Sequence, residues 1–216
     1  MSAREAARLM AAARARLPQR TVLRFARSVS GGPGLHVAES QLLAELPPGR
    51  RQDFALGRCA AAQCLRALGR PGPVLASGRM PRFPDGVRAS ISHRDGLGVC
   101  LAAAAHQVRA IGVDVELAEA LPLEATRLVC TDRERGWLDR HPAPRGLLAV
   151  LFSLKESIYK ARCALDLPTR NFKEIEIPPH PTGPYPGHLT VGGLVMTVGV
   201  LESDRLILTW AVVAHD

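Results

Sequence analysis

Apolar runs of strand length fall into two blocks of this 216-residue sequence, and a long amphipathic helical stretch precedes each block. In the first half, "RRQDFALGRCAAAQCLRALG" carries an apolar stripe of Phe54, Leu56, Ala60, Cys64, Leu65 and Leu68 and stops at Gly69, and "VRASISH" and "LGVCLAAAA" follow it as strands. "RAIGVDVE" reads as a neighbouring strand. The helix "RGLLAVLFSLKESIYKARCAL" then leads into "FKEIEI", "HLTVG", "LVMTVGVLE" and "RLILTWAVVA", strands joined by Pro, Gly and Asp turns. This order predicts an α+β fold of two similar subdomains, 1–106 and 107–216, each a helix packed on a small, mainly antiparallel sheet, with the join near Ala105 to Arg109.

Smaller signals fill in the rest. A helical pattern from about Ala3 to Leu17 ends at Pro18, "TVLRFARS" reads as a short strand, and "GGPG" at 31–34 as a loop. "GRPGPVLASGRMPRFPDG" reads as a long irregular stretch, and "TDRERGWLDRH" offers Thr131 as N-cap with Glu134 three residues on, a capping box.

The 28 Lys plus Arg against 20 Asp plus Glu leave a formal charge of +8, which favours an anionic partner without choosing between nucleic acid, phosphorylated metabolite, acidic protein and membrane surface. Five widely spaced cysteines with no C-x-x-C pair argue against a disulfide framework or zinc knuckle and for a reducing, cytoplasmic setting. No apolar run approaches the ~20 residues needed to span a bilayer, and the Ala- and Arg-rich opening, with Glu5 and little serine, reads as an amphipathic helix rather than a targeting peptide.

"IGVDVE" at 111–116 sets Asp114 and Glu116 on one face of an otherwise apolar strand, where two like charges repel unless a cation lies between them. On the helix at 145–165, Glu156 and Lys160 lie one turn apart, away from the stripe of Leu147, Leu151, Leu154, Ile158 and Ala161. Each pair has a plain reading: a strand edge with one wet face, and an i,i+4 surface pair worth ~0.2–0.5 kcal/mol. Together they suggest a Mg²⁺ site, because that hard cation takes a few carboxylates, water and substrate phosphates. "SISH" at 90–93 adds Ser92 and His93 at a strand end, for phosphate contact, proton transfer or a structural role. "HRDGLG" echoes a kinase catalytic loop, but no glycine-rich loop or DFG accompanies it.

"RRQDFALGR", "FPDGVRASISH", "IGVDVE" and "FSLKESIYKA", in this order and spacing, resemble the large, monomeric 4′-phosphopantetheinyl transferases, most closely the branch that activates enterobactin synthetase. The resemblance covers about Arg50 to Lys160 and implies two pseudo-symmetric halves with the substrate in the cleft between them. It implies transfer of phosphopantetheine from coenzyme A to a serine of an acidic acyl or peptidyl carrier protein, with release of 3′,5′-ADP. Asp114, Glu116 and Glu156 would hold Mg²⁺, or Mn²⁺, against the diphosphate; Glu156 would take the serine proton and Lys160 would stabilise the leaving group. Lys155 would neutralise phosphate charge, Ser92 and His93 would bind near the nucleotide, and Arg50 and Arg58 would grip the 3′-phosphate, with Arg79 or Arg82 the basic residue available in the loop at 79–82 where the family tends to carry lysine. The sequence departs from the family in having Phe152 for the usual Trp and Arg94 where a small residue is commoner. The resemblance implies neither nucleic acid nor membrane as partner.

Two other readings compete. A metal-dependent nuclease would use the same carboxylates, but such sites commonly want a lysine two residues past the glutamate, where Ala118 stands. A nucleic-acid-binding module is favoured by charge alone, and aromatics for base stacking make up only 4% of the chain.

Overall fold

The computed structural model describes residues 3–27, 35–78, 80–118, 121–167, 169–178 and 187–215, with side chains from residue 8. In chain order the first half has helix α1 (Ala3–Arg16), strand β1 (Val22–Arg27), helices α2 (Val37–Glu45) and α3 (Pro48–Ala67), the short strands β2 (Leu75–Ser77) and β3 (Met80–Arg82), and strands β4 (Val87–Arg94) and β5 (Leu97–Ala104). The second has strand β6 (Val108–Leu117), helices α4 (Thr126–Val129), α5 (Asp132–Leu138) and α6 (Pro144–Cys163), and strands β7 (His188–Val191), β8 (Leu194–Glu202) and β9 (Leu206–Ala214). Two antiparallel sheets result, in the orders β1-β5-β4 and β6-β9-β8-β7, with β2 and β3 pairing as a separate ribbon.

The period-2 alternation of the central strands decides the layering. On β5, Leu97, Val99, Leu101 and Ala103 point into one core while Cys100 and Ala102 face α3; on β6, Ile111, Val113 and Val115 join that same core while Ala110 faces the α6 side. Both sheets thus carry a helix on one face and share an apolar layer on the other, closed by Leu9 and Ala13 of α1 and filled by Trp210. Two glycines permit the close helix contacts. A Cβ on Gly98 would lie 2.4 Å from the Leu56 backbone of α3, and one on Gly112 would lie 1.7 Å from the Ser157 carbonyl of α6.

Two expectations are corrected, and one helix is added. Helix α2 has no counterpart in the sequence reading because its cap is unusual: His36 Nδ1 accepts the Ala38 N–H while Glu39 reaches back to the His36 N–H. The stretch from 69 to 86 is not wholly irregular, since β2 and β3 form within it. "FKEIEI" is not a strand but a 3₁₀ turn at Phe172–Glu174 followed by irregular chain, which buries Ile175 and Ile177 against α6. The loop expected at 31–34 lies outside the described residues.

Candidate active site

Strands β4 and β6 run side by side in the same direction where the two sheets meet, yet they belong to different sheets and are tied by side chains instead of a ladder. Ser90 Oγ accepts the Val113 N–H at 3.1 Å, Ser92 Oγ donates to Asp114 Oδ1 at 2.7 Å, and Arg88 Nε donates to the Arg109 carbonyl at 3.2 Å. Serine bonds stand in for a ladder here, and a cavity of about 690 Å³ opens beside the two strands. Its walls come from both halves: Arg82, Phe83 and residues 84–91 on one side, and Ile111, Glu156, Tyr159, Lys160 and Cys163 on the other.

Asp114 sits at the centre of this seam, buried and held from three directions. Beside the Ser92 bond, Lys160 Nζ donates to Oδ1 at 2.8 Å and Ser153 Oγ donates to Oδ2 at 2.8 Å. Lys160 also donates to the Val113 carbonyl at 3.0 Å, so the ammonium is fixed against β6. Glu116, two residues on, accepts its neighbour's Leu117 N–H at 2.7 Å and pairs with Arg94 Nε at 2.6 Å through the same oxygen. Burial raises the Glu116 carboxyl above the ordinary carboxylate range, and the Leu117 N–H and Arg94 offset only part of that. The Glu156 carboxyl is raised too, by burial first, with Lys160 opposing and the charges of Asp114 and Glu116 adding to it. The three carboxylates therefore feel one another across the seam.

Among the described residues no group of three or more His, Cys, Asp or Glu side chains could hold a metal ion by itself. Lys160 takes Asp114 Oδ1 and Arg94 takes Glu116 Oε1. The donor chemistry fits an open Mg²⁺ site, which takes one or two carboxylates and completes its shell with water and substrate phosphates, and does not fit a closed protein cage.

The other expected residues divide. His93 faces Asp53 at 3.4 Å between Nδ1 and Oδ2, and burial lowers its pKa, so it is neutral near pH 7. It shares a second cavity of about 510 Å³ with Arg50, Asp53, Arg94, Asp95 and Leu117. Arg50 is exposed there, as a phosphate ligand requires. Arg58 lines neither cavity: it is 7% exposed, lies 4.4 Å over the Phe54 ring, and stands 4.0 Å from Glu39, whose other bonds tie α2 to Val74. Ser92 stands behind Asp114 and binds that carboxylate. Arg79 lies outside the described residues, whereas Arg82 lines the first cavity.

Lys155 corrects the sequence reading. Its ammonium is fully buried and donates to Glu134 Oε2 at 2.6 Å, the Val129 carbonyl at 2.8 Å and the Phe172 carbonyl at 3.1 Å, on a side of α6 turned away from the cleft. All three ammonium protons are thereby used, and a phosphate has no approach. The capping-box glutamate, Glu134, serves twice: it closes the start of α5 through the Thr131 N–H and accepts the Ile177 N–H while balancing Lys155.

Sequence reasoning missed Ser153, Ser157 and Thr209, which support Asp114 from below. Ser157 Oγ lies 2.7 Å from Thr209 Oγ1, Thr209 donates to the Ser153 carbonyl at 2.8 Å, and Ser153 donates to Asp114, one proton order that satisfies the whole chain. Their signal was legible: hydroxyls four apart on a buried helix face, and one threonine within the apolar run "LILTWAVV", paired in register with Asp114.

Residues 38–105 match the profile of the 4'-phosphopantetheinyl transferase N-terminal domain, and residues 110–196 that of the 4'-phosphopantetheinyl transferase superfamily. The 4'-phosphopantetheinyl transferase Svp of Streptomyces mobaraensis is 34% identical over 179 residues, 80% of this chain and 72% of that protein. Npt of Nocardia iowensis, also a 4'-phosphopantetheinyl transferase, is 34% identical over 144 residues, 66% of this chain and 65% of its own. Enterobactin synthase component D of Salmonella typhi is 35% identical over 116 residues, 52% and 48% respectively. The matched span thus falls just short of two thirds of Npt and covers about half of the Salmonella protein. The two profiles meet at the seam that carries Asp114, and this chain belongs to the 4′-phosphopantetheinyl transferase family.

Proposed function

We propose that the chain transfers 4′-phosphopantetheine from coenzyme A to a serine of an acidic apo acyl or peptidyl carrier protein, giving the holo carrier and 3′,5′-ADP. The observation that carries this reading is the convergence of Asp114, Glu156 and Lys160 beside a cleft walled by both halves of the molecule. The 690 Å³ cavity has the size of a cofactor pocket, and its mixed apolar and basic lining suits a pantetheine arm joined to a diphosphate.

One or two of the carboxylates Asp114, Glu116 and Glu156 would hold Mg²⁺, or Mn²⁺, together with water and the substrate, and the ion would supply charge compensation to the diphosphate. The remaining work falls to side chains. Glu156, its carboxyl raised by burial, borders the cavity and would take the proton of the carrier serine. Lys160, bonded to Asp114, holds a positive charge where negative charge grows on the leaving phosphate. Neutral His93 donates a hydrogen bond to the nucleotide, and Arg50 grips its 3′-phosphate from the exposed rim. The protein acts as a monomer, and five unpaired cysteines suit a reducing cytoplasm.

Incubation with coenzyme A, Mg²⁺ and a panel of apo carrier proteins, followed by intact mass measurement, tests the reaction. A phosphopantetheine-sized gain on a carrier is the expected outcome. Unchanged carriers together with no release of 3′,5′-ADP would sink the reading.

A further inference from the structure

The tip of the β4–β5 hairpin, "HRDGLG", carries both His93 and the arginine that pairs with Glu116. Its Asp95 and Gly96 both take positive φ, 50° and 69°, in a two-residue turn whose twist matches that of the paired strands. Arg94 opposes Leu97 at the base of this turn, and Arg205 from the β8–β9 connection holds Asp95 from outside at 3.0 Å. The backbone under Arg94 is therefore fixed, and its guanidinium crosses the seam to Glu116 with Nε 2.6 Å from Oε1. That same side chain is 44% exposed and borders the 510 Å³ cavity that holds Arg50 and His93.

We propose that Arg94 couples cation binding to anion binding: it balances Glu116 until a divalent cation takes that carboxylate, then turns into the Arg50–His93 cavity to bind a substrate phosphate. The proposal rests on Glu116 being a metal ligand. A guanidinium and a divalent ion on the one Glu116 carboxylate repel each other, so binding of the ion favours release of Arg94. The released arginine has an open cavity beside it and a fixed backbone to pivot on. Phosphate then meets two arginines instead of one, and linkage makes the effect mutual: the anion, by drawing Arg94 off Glu116, strengthens cation binding.

Mn²⁺ titration of the 216-residue chain, followed by the electron paramagnetic resonance signal of free Mn²⁺ with and without 3′,5′-ADP, tests it. Arg94→Ser, and the longer neutral Arg94→Gln, should bind Mn²⁺ about fivefold more tightly than the parent without nucleotide, the release expected for a half-exposed ion pair. In both variants 3′,5′-ADP should lose most of its power to tighten Mn²⁺ binding. Equal Mn²⁺ affinity in parent and variants, with Glu116→Gln weakened, overturns the coupling alone. Parent affinity no better than that of Glu116→Gln removes the metal role of Glu116, and the proposal with it.

Discussion

Lys155 and Glu156 are adjacent in sequence and belong to different chemistry, because a step of one residue on a helix turns the side chain by about 100°. Lys155 points into a closed ion pair with Glu134, so Lys155→Met leaves a buried carboxylate without its cation and should cost about 3–5 kcal/mol in denaturant unfolding. Adding Glu134→Gln should recover part of that loss. If Lys155→Met instead weakens coenzyme A binding at unchanged stability, a phosphate role returns. Glu156 faces the cleft. Its carboxyl pKa is raised in the folded protein, so the stability linked to its proton is full below the unfolded pKa and is lost as pH rises through the folded value. Glu156→Gln should therefore unfold at higher temperature than the parent at neutral pH without added metal, and the two should converge in acid. The same variant should lose at least a hundredfold in turnover, the lower end for a lost general base; full turnover would remove the base assignment. Lys160→Ala should lower kcat more than it raises KM for coenzyme A, and a change in KM alone would recast Lys160 as a binding residue.

At the level of elements, α6 and β6 form the site because Gly112 lets the helix backbone rest on the strand. Gly112→Ala places a methyl group 1.7 Å from the Ser157 carbonyl, so α6 must lift and carry Ser153 and Lys160 away from Asp114. Overpacking of this kind costs about 1–3 kcal/mol, and turnover should fall further than the melting temperature alone explains. Gly98→Ala makes the matching clash with α3, at 2.4 Å from the Leu56 backbone, and provides the comparison. It should destabilise comparably while leaving the bonds to Asp114 in place, a difference that parallel melting and turnover measurements will show. The capping box of α5 was readable from Thr131 and Glu134, whereas α2 was hidden by a histidine cap and the 3₁₀ turn at Phe172–Glu174 by a strand-like pattern. Alternation of apolar residues shows that something is buried, not which backbone buries it.

Across the whole molecule, the two halves share one apolar layer in which β5 and β1 meet β6, β8 and β9, with α1 laid over it. No helix among the described residues is long and apolar enough to cross a membrane. The surface carries the excess of positive charge, +8 over the full chain, which should steer acidic carrier proteins to the cleft. The kcat/KM for an acidic carrier should therefore fall as ionic strength rises, measured at saturating coenzyme A. A rate indifferent to salt would show that charge plays no part in the encounter.

The sequence determined the alternating strands, the long helices and the side-chain chemistry of Asp114, Glu116, Glu156 and Lys160, because period and residue type are local properties of a chain. Tertiary structure alone decided that Ser92, Ser153 and Lys160 share Asp114, that Arg94 reaches Glu116, and that Lys155 is enclosed. Those partners lie from 17 to 46 residues apart in the chain, and only the packing of α6 against β6 and its neighbours sets which of them meet.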